Sequence, residues 1–102
     1  MAKTIGRNTN VNDTATIDTV TLNSSTSVKV ADALADRIYV SVSNEGPGTA
    51  FIKLQAASVD NTKKGEVLEN GETWWMPTDN MYTGEISAIG RNTSPVVHIT
   101  EY

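Results

Sequence analysis

Apolar and polar side chains alternate at every second residue in a series of short segments along this chain, the spacing of strands with one buried face. From Ala15 onward, Ile17, Thr19 and Thr21 fall on one side and Asp18, Val20 and Leu22 on the other, until Asn23-Ser24-Ser25 interrupts the pattern. Val28 and Val30 flank Lys29 in a second short strand, and the Asn/Ser turn predicts that it pairs with the first. Residues 37–43 form the clearest strand: Ile38, Val40 and Val42 share a core face, while Arg37, Tyr39, Ser41 and Ser43 share the outer one. Asn44-Glu45-Gly46-Pro47-Gly48 then turns the chain, predicting a hairpin with residues 49–54, in which Ala50, Ile52 and Leu54 oppose Phe51 and Lys53.

Residues 55–65 are polar and aperiodic, with Lys63-Lys64 read as solvated charge, and predict a surface loop. Asn70-Gly71 between residues 66–69 and 72–76 is the strongest hairpin signal in the chain. Residues 83–90 and 95–101 make a closing pair joined by Arg91-Asn92-Thr93-Ser94, with a bulge or strand end near Gly90 expected because Ile89 breaks the parity of Ile86 and Ala88. The only helix-favouring run, Asp32-Ala33-Leu34-Ala35-Asp36, is too short for more than one turn and reads as a connector. Seven or eight short strands predict a small antiparallel β-sandwich, with a small β-barrel as the alternative. That domain spans residues 15–102, preceded by an extended polar N-terminal arm over residues 1–14 in which Ile5 and Val11 are the large apolar side chains.

Composition narrows the class. A chain of 102 residues has room for one core. Fourteen Thr, eight Ser and nine Asn, with ten Val and seven Ile against four Leu, favour strands and turns over helices. The net charge of −4 argues against a phosphate-tracking surface, so no nucleic-acid partner is expected. No stretch approaches the roughly 18 apolar residues of a membrane helix, and the opening MAKTIGRNTNVNDT lacks the apolar segment of a secretory signal. The expectation is a cytoplasmically made protein with no membrane partner. The absence of cysteine excludes a disulfide framework and thiolate metal sites.

Catalytic inventory is thin. His98, the only histidine, sits on the strand face opposite Val97 and Ile99, which reads as an exposed or hydrogen-bonded surface residue. One histidine cannot build a His₂ or His₃ metal cluster, and no Gly-x-Ser-x-Gly elbow accompanies it. Glu66, Glu69, Glu72 and Glu85 read as solvated strand charges before they read as a glycosidase pair. Neither enzymatic activity nor a cofactor is therefore expected. Trp74-Trp75 carries more information: adjacent strand residues face opposite ways, so one indole enters the core and the other needs a second surface, whether a subunit, a sugar ring or a covering loop. Tyr39 and Phe51, either side of the Gly46-Pro47-Gly48 turn, pose the same question. Ile5, Arg7 and Val11 of the arm join these four aromatics as candidate interface residues, if the arm orders on a neighbour and does not simply fray.

Four blocks occur in order: RIYVSVSNEGPGTAFIKL, GEVLENGETWW, YTGEISAI and the terminal VVHITEY. Together they make residues 37–102 resemble small virion proteins of tailed bacteriophages. The resemblance implies a β-sandwich located on the virion, a minor capsid, decoration or cement protein bound to the major capsid protein, as a homo-oligomer with a trimer favoured. A tail, neck or fibre component is the alternative within the same resemblance. A carbohydrate-binding module using Trp74 or Trp75 as its stacking platform is the alternative outside it.

Overall fold

The computed structural model describes residues 16–77, 79 and 81–101. The arm candidates Ile5, Arg7 and Val11 lie outside the described residues. Eight strands follow in order: β1 (Thr16–Thr21), β2 (Val28–Ala31), β3 (Val40–Gly46), β4 (Ala50–Lys53), β5 (Glu66–Leu68), β6 (Thr73–Trp75), β7 (Ile86–Gly90) and β8 (Val96–Glu101). They form two antiparallel four-stranded sheets, one ordered β1-β8-β3-β6 and the other β2-β7-β4-β5. The first half of the chain pairs with the second in reverse: β1 with β8, β2 with β7, β3 with β6, β4 with β5. A long hairpin rolled in this way into two facing sheets is the eight-stranded jelly roll. No hydrogen-bonded ladder joins the sheets among the described residues, so the fold is a sandwich and not a closed barrel.

The core lies between the sheets, where alternation from both sides delivers β-branched side chains. Val20, Leu22, Val40, Val42, Val97 and Ile99 come from the first sheet or its margin; Val30, Ala50, Ile52, Leu68, Ile86 and Ala88 come from the second. Burying such side chains contributes about 1.5–3 kcal/mol each.

Four predicted hairpins are corrected. The turns at Asn23, at Asn44–Gly48, at Asn70-Gly71 and at Arg91–Ser94 all exist, but each carries the chain from one sheet to the other. At Asn70-Gly71 the turn is closed by Glu72 N–H donating to the Glu69 carbonyl at 3.0 Å, with Gly71 at φ 91°, yet β5 leaves for β4 and β6 for β3. Turn residues report a local reversal, and a reversal serves equally well to cross the roughly 10 Å between packed sheets. The strands adjacent in sequence that do pair are β4 and β5, joined by the long polar loop 54–65. Gly65 closes that loop at φ 124°, where a Cβ would lie 2.2 Å from the Ile52 carbonyl oxygen.

Two further expectations shift. The third strand begins at Val40, not at Arg37, because Arg37 N–H still closes a turn onto the Leu34 carbonyl at 3.1 Å. Arg37 is therefore buried, not on the outer face beside Ser41. Ile89 keeps its place in a regular ladder opposite Phe51. Of the two features expected near Gly90 the strand end is present, since β7 stops at Gly90, and no bulge is needed because the outer side of β7 is also covered and all five of its positions are buried.

Candidate interaction surface

The outer faces of the two sheets differ. On the β2-β7-β4-β5 sheet, Phe51, Lys53, Ser87 and Ile89 point away from the core and are nonetheless buried. Loop 54–65 lies against this side. Lys53 Nζ donates to Asp60 Oδ1 at 2.7 Å, to the Asp60 carbonyl at 3.2 Å and to Ser27 Oγ at 3.1 Å. Ser27 Oγ and N–H in turn bond the Asp60 carbonyl and Asn61 Oδ1, and Ala57 N–H donates to Glu85 Oε2. Lys63, read from sequence as solvated, donates to the Arg91 carbonyl. The Arg91 guanidinium lies 5.2 Å from the Phe51 ring centroid, a cation–π contact. Phe51 is thus 6% exposed and is no part of an open surface, a correction to its candidacy.

Asp60 works as a latch. Hydrogen bonds from Lys53 and Thr62 hold its carboxyl well below the ordinary value of 3.8. A depressed carboxyl pKa stabilises the folded state fully above the unfolded value, and the contribution disappears only as pH falls through the lower folded one. The loop should therefore stay closed at a pH where unpaired carboxylates have half titrated. Lys53→Met, which leaves Asp60 without its cation, is expected to raise tryptic cleavage at Lys63-Lys64 by about tenfold or more at mildly alkaline pH, because cleavage tracks the open population. Unchanged cleavage would remove the latch.

The β1-β8-β3-β6 sheet has a largely open outer face, although Ser41 within it is buried. Register places Ile17, Thr100, Ser41 and Trp75 in one row across all four strands, and Thr19, His98, Ser43 and Thr73 in the next. Rows are spaced along the strands by about 7 Å and neighbours within a row by about 5 Å. The face carries hydroxyls over most of its area, with large apolar groups at two corners: Ile17 is 68% exposed and Trp75 60%. Tyr39 sits beside Trp75, ring centroids 5.9 Å apart and tilted by 53°. Glu45 accepts from Ser43 Oγ at 2.7 Å and lies 3.7 Å from His98 Nδ1.

The tryptophan pair resolves by register. Trp74 pairs with the core residue Val42 and packs against the core; Trp75 pairs with Ser41 and faces outward. Two features had no sequence-level forecast, the loop's cover over one sheet and the openness of the other. A signal for the first was present in the non-alternating runs AFIK and ISAIG, which mark strands buried on both faces.

The carboxylates weighed as a catalytic pair act locally. Glu69 accepts from Thr49 Oγ1 at 2.6 Å, Glu72 from the Glu69 N–H at 2.8 Å, and Glu85 from Ala57. Open hollows among the described residues include one of about 300 Å³ beside Lys53 and Asp60 and one of about 250 Å³ between the β1 and β2 edges near Asp18 and Glu101. No helix among the described residues is long and apolar enough to cross a membrane. Comparison with protein-family models, with curated proteins and with solved structures finds no match for this chain.

Proposed function

We propose that the chain is a structural component of a tailed-bacteriophage particle, a minor capsid or decoration protein that binds the major capsid protein and stabilises the shell. The observation that carries this reading is the asymmetry of the sandwich: one sheet is covered by its own loop, and the other offers a hydroxyl-rich face with Trp75, Tyr39 and Ile17 at its corners. Such a face suits adhesion to another polypeptide, since exposed aromatics at a polar surface are the usual anchors of protein interfaces. Jelly rolls occur among viral capsid domains and lectins alike, so the fold supports the reading by analogy. The sequence resemblance over residues 37–102 supports it independently. A decoration role requires many weak contacts multiplied over a shell, which a small homo-oligomer supplies.

The test is copy number in purified particles by quantitative mass spectrometry, high for a shell protein and low for a tail, neck or fibre component. Absence of the chain from particles ends the proposal. Trp75→Ala is expected to weaken particle binding by about tenfold or more, the loss typical of an aromatic anchor. Because Trp75 is exposed, the melting temperature should hold. Trp74→Ala should do the opposite, costing about 2–4 kcal/mol of stability through the cavity it leaves. Exposed Trp75, with half-buried Tyr39 beside it, also favours a second reading, sugar-ring stacking. Glycan binding lost in Trp75→Ala, without particle binding, would move the assignment there.

A further inference from the structure

The four sheet edges are not equally protected. β5 and β6 are edges of three residues each. β2 has four, with a register shift between Lys29 and Ala31 and a lysine in its span. Short strands, bulges and lysines are the devices that keep edges from pairing with other chains. β1 is longer, unbulged and free of lysine, and its one charge is Asp18, on the same face as Val20. Its six residues, TIDTVT, hold an unbroken register against β8, contain no lysine, arginine or proline, and are β-branched at every position except Asp18. Five of the six are exposed.

The ladder also fixes which backbone groups are free. Leu22 N–H donates to the Pro95 carbonyl at 2.8 Å, in the same register as the β1–β8 ladder. Hydrogen-bonded pairs alternate in an antiparallel ladder, so Thr16, Asp18 and Val20 point their N–H and C=O groups at β8. Ile17, Thr19 and Thr21 point theirs away from the sheet.

We infer that β1 pairs with β1 of a second copy about a two-fold axis, joining two four-stranded sheets into one of eight strands. The proposal does not depend on a virion location. An isologous edge must pair antiparallel with itself, with outward residues opposite outward ones. Two centred registers satisfy this condition. One sets Asp18 directly opposite its symmetry mate in a close, non-hydrogen-bonded pair, where like charges repel. The other sets Thr19 opposite Thr19 on the axis, Ile17 opposite Thr21, and Asp18 opposite Val20. The second register uses all the free groups of Ile17, Thr19 and Thr21, and it covers exposed Ile17. A single isologous edge closes at two copies, so it points to a dimer where the sequence resemblance implied a trimer.

Sedimentation and light scattering of the full chain over a range of concentrations should give a reversible monomer–dimer equilibrium. Thr19→Pro removes an N–H that β8 does not use, and should weaken dimerisation by about tenfold or more with the circular dichroism of the monomer unchanged. The chain contains no cysteine, so Thr19→Cys introduces a single thiol on the axis. Hydrogen-bonded antiparallel pairs hold Cα atoms about 5.5 Å apart, within disulfide reach. Thr19→Cys should therefore form a covalent dimer faster than Val59→Cys, an exposed loop control. A chain that stays monomeric at high concentration overturns the proposal. So does a dimer indifferent to Thr19→Pro, or a Thr19→Cys thiol that crosslinks no faster than the control.

Discussion

Arg37→Met is expected to destabilise the fold by about 3–5 kcal/mol, a large part of the 5–15 kcal/mol typical of a domain. The Arg37 side chain is completely buried and meets four acceptors. Nε donates to Glu101 Oε2 at 2.6 Å, Nη1 to the carbonyls of Tyr82 and Gly84 at 2.8 and 3.0 Å, and Nη2 to the Asp32 carbonyl at 2.6 Å. One guanidinium thus ties the β2–β3 connector, the segment leading into β7 and the end of β8. A thioether satisfies none of these groups, and unpaired carbonyls in a dry interior lose their full desolvation cost. Arg37→Lys keeps the charge but concentrates three donors at one nitrogen, which cannot span acceptors arranged around a planar fork. It should recover less than half of the loss. Glu101→Gln should be milder, since Glu101 is partly exposed and its amide oxygen still accepts. Chemical denaturation of the three variants checks the order, and a loss under about 1 kcal/mol for Arg37→Met contradicts it.

How far this was legible from sequence depends on the range of the interaction. Local alternation identified most strand positions, inward residues such as Val40, Val42, Ala50 and Ile52, and the sandwich class, because period two is imposed residue by residue; it failed at the strand ends, where Leu54 is exposed and Ile38 only half-buried. Trp74 and Trp75 were correctly divided between two faces, but only the pairing of Val42 with Trp74 says which is inside. Partners were not legible. Asn70-Gly71 and Gly46-Pro47-Gly48 signal reversal, and the choice between pairing in one sheet and crossing to the other is made by non-local burial. β1 meets β8 through Thr16 and Glu101, at opposite ends of the described chain. Arg37 misled for the same reason: as the first residue of an alternating run it looked outward, and three of its four acceptors lie on segments far along the sequence. The open sheet face was invisible because its residues, Ile17, Thr19, His98, Thr100, Ser41 and Trp75, come from four separate strands.

Asn44→Asp, an almost isosteric change, is expected to cost more than about 4 kcal/mol at neutral pH and to leave little folded protein. Asn44 is fully buried at the crossing from β3 to β4. Its Nδ2 donates to the carbonyls of Gly48 and Leu68 at 2.8 and 2.9 Å, and its Oδ1 accepts from the Gly46 N–H at 2.8 Å. Its backbone accepts from Gly71 N–H and donates to the Glu72 carbonyl, both at 2.8 Å. The β3–β4 crossing and the β5–β6 crossing are therefore fastened at one residue, which the sequence offered only as the first position of a turn. A carboxylate keeps the bond from Gly46 and sets a charged oxygen against two carbonyl oxygens. Asn44→Ala loses all three side-chain bonds without adding charge, and should cost about 2–4 kcal/mol. The pH dependence separates the two variants. Burial and facing carbonyls raise the carboxyl pKa of the aspartate variant in the folded state, so its stability falls as pH rises from the unfolded value near about 3.9 towards the folded one. Its deficit relative to the parent should shrink in mildly acidic buffer, whereas that of Asn44→Ala should not. Melting curves at pH 4 and pH 7 for both variants make the comparison, and parallel deficits at the two pH values would falsify the charge argument while leaving the hydrogen-bond one standing.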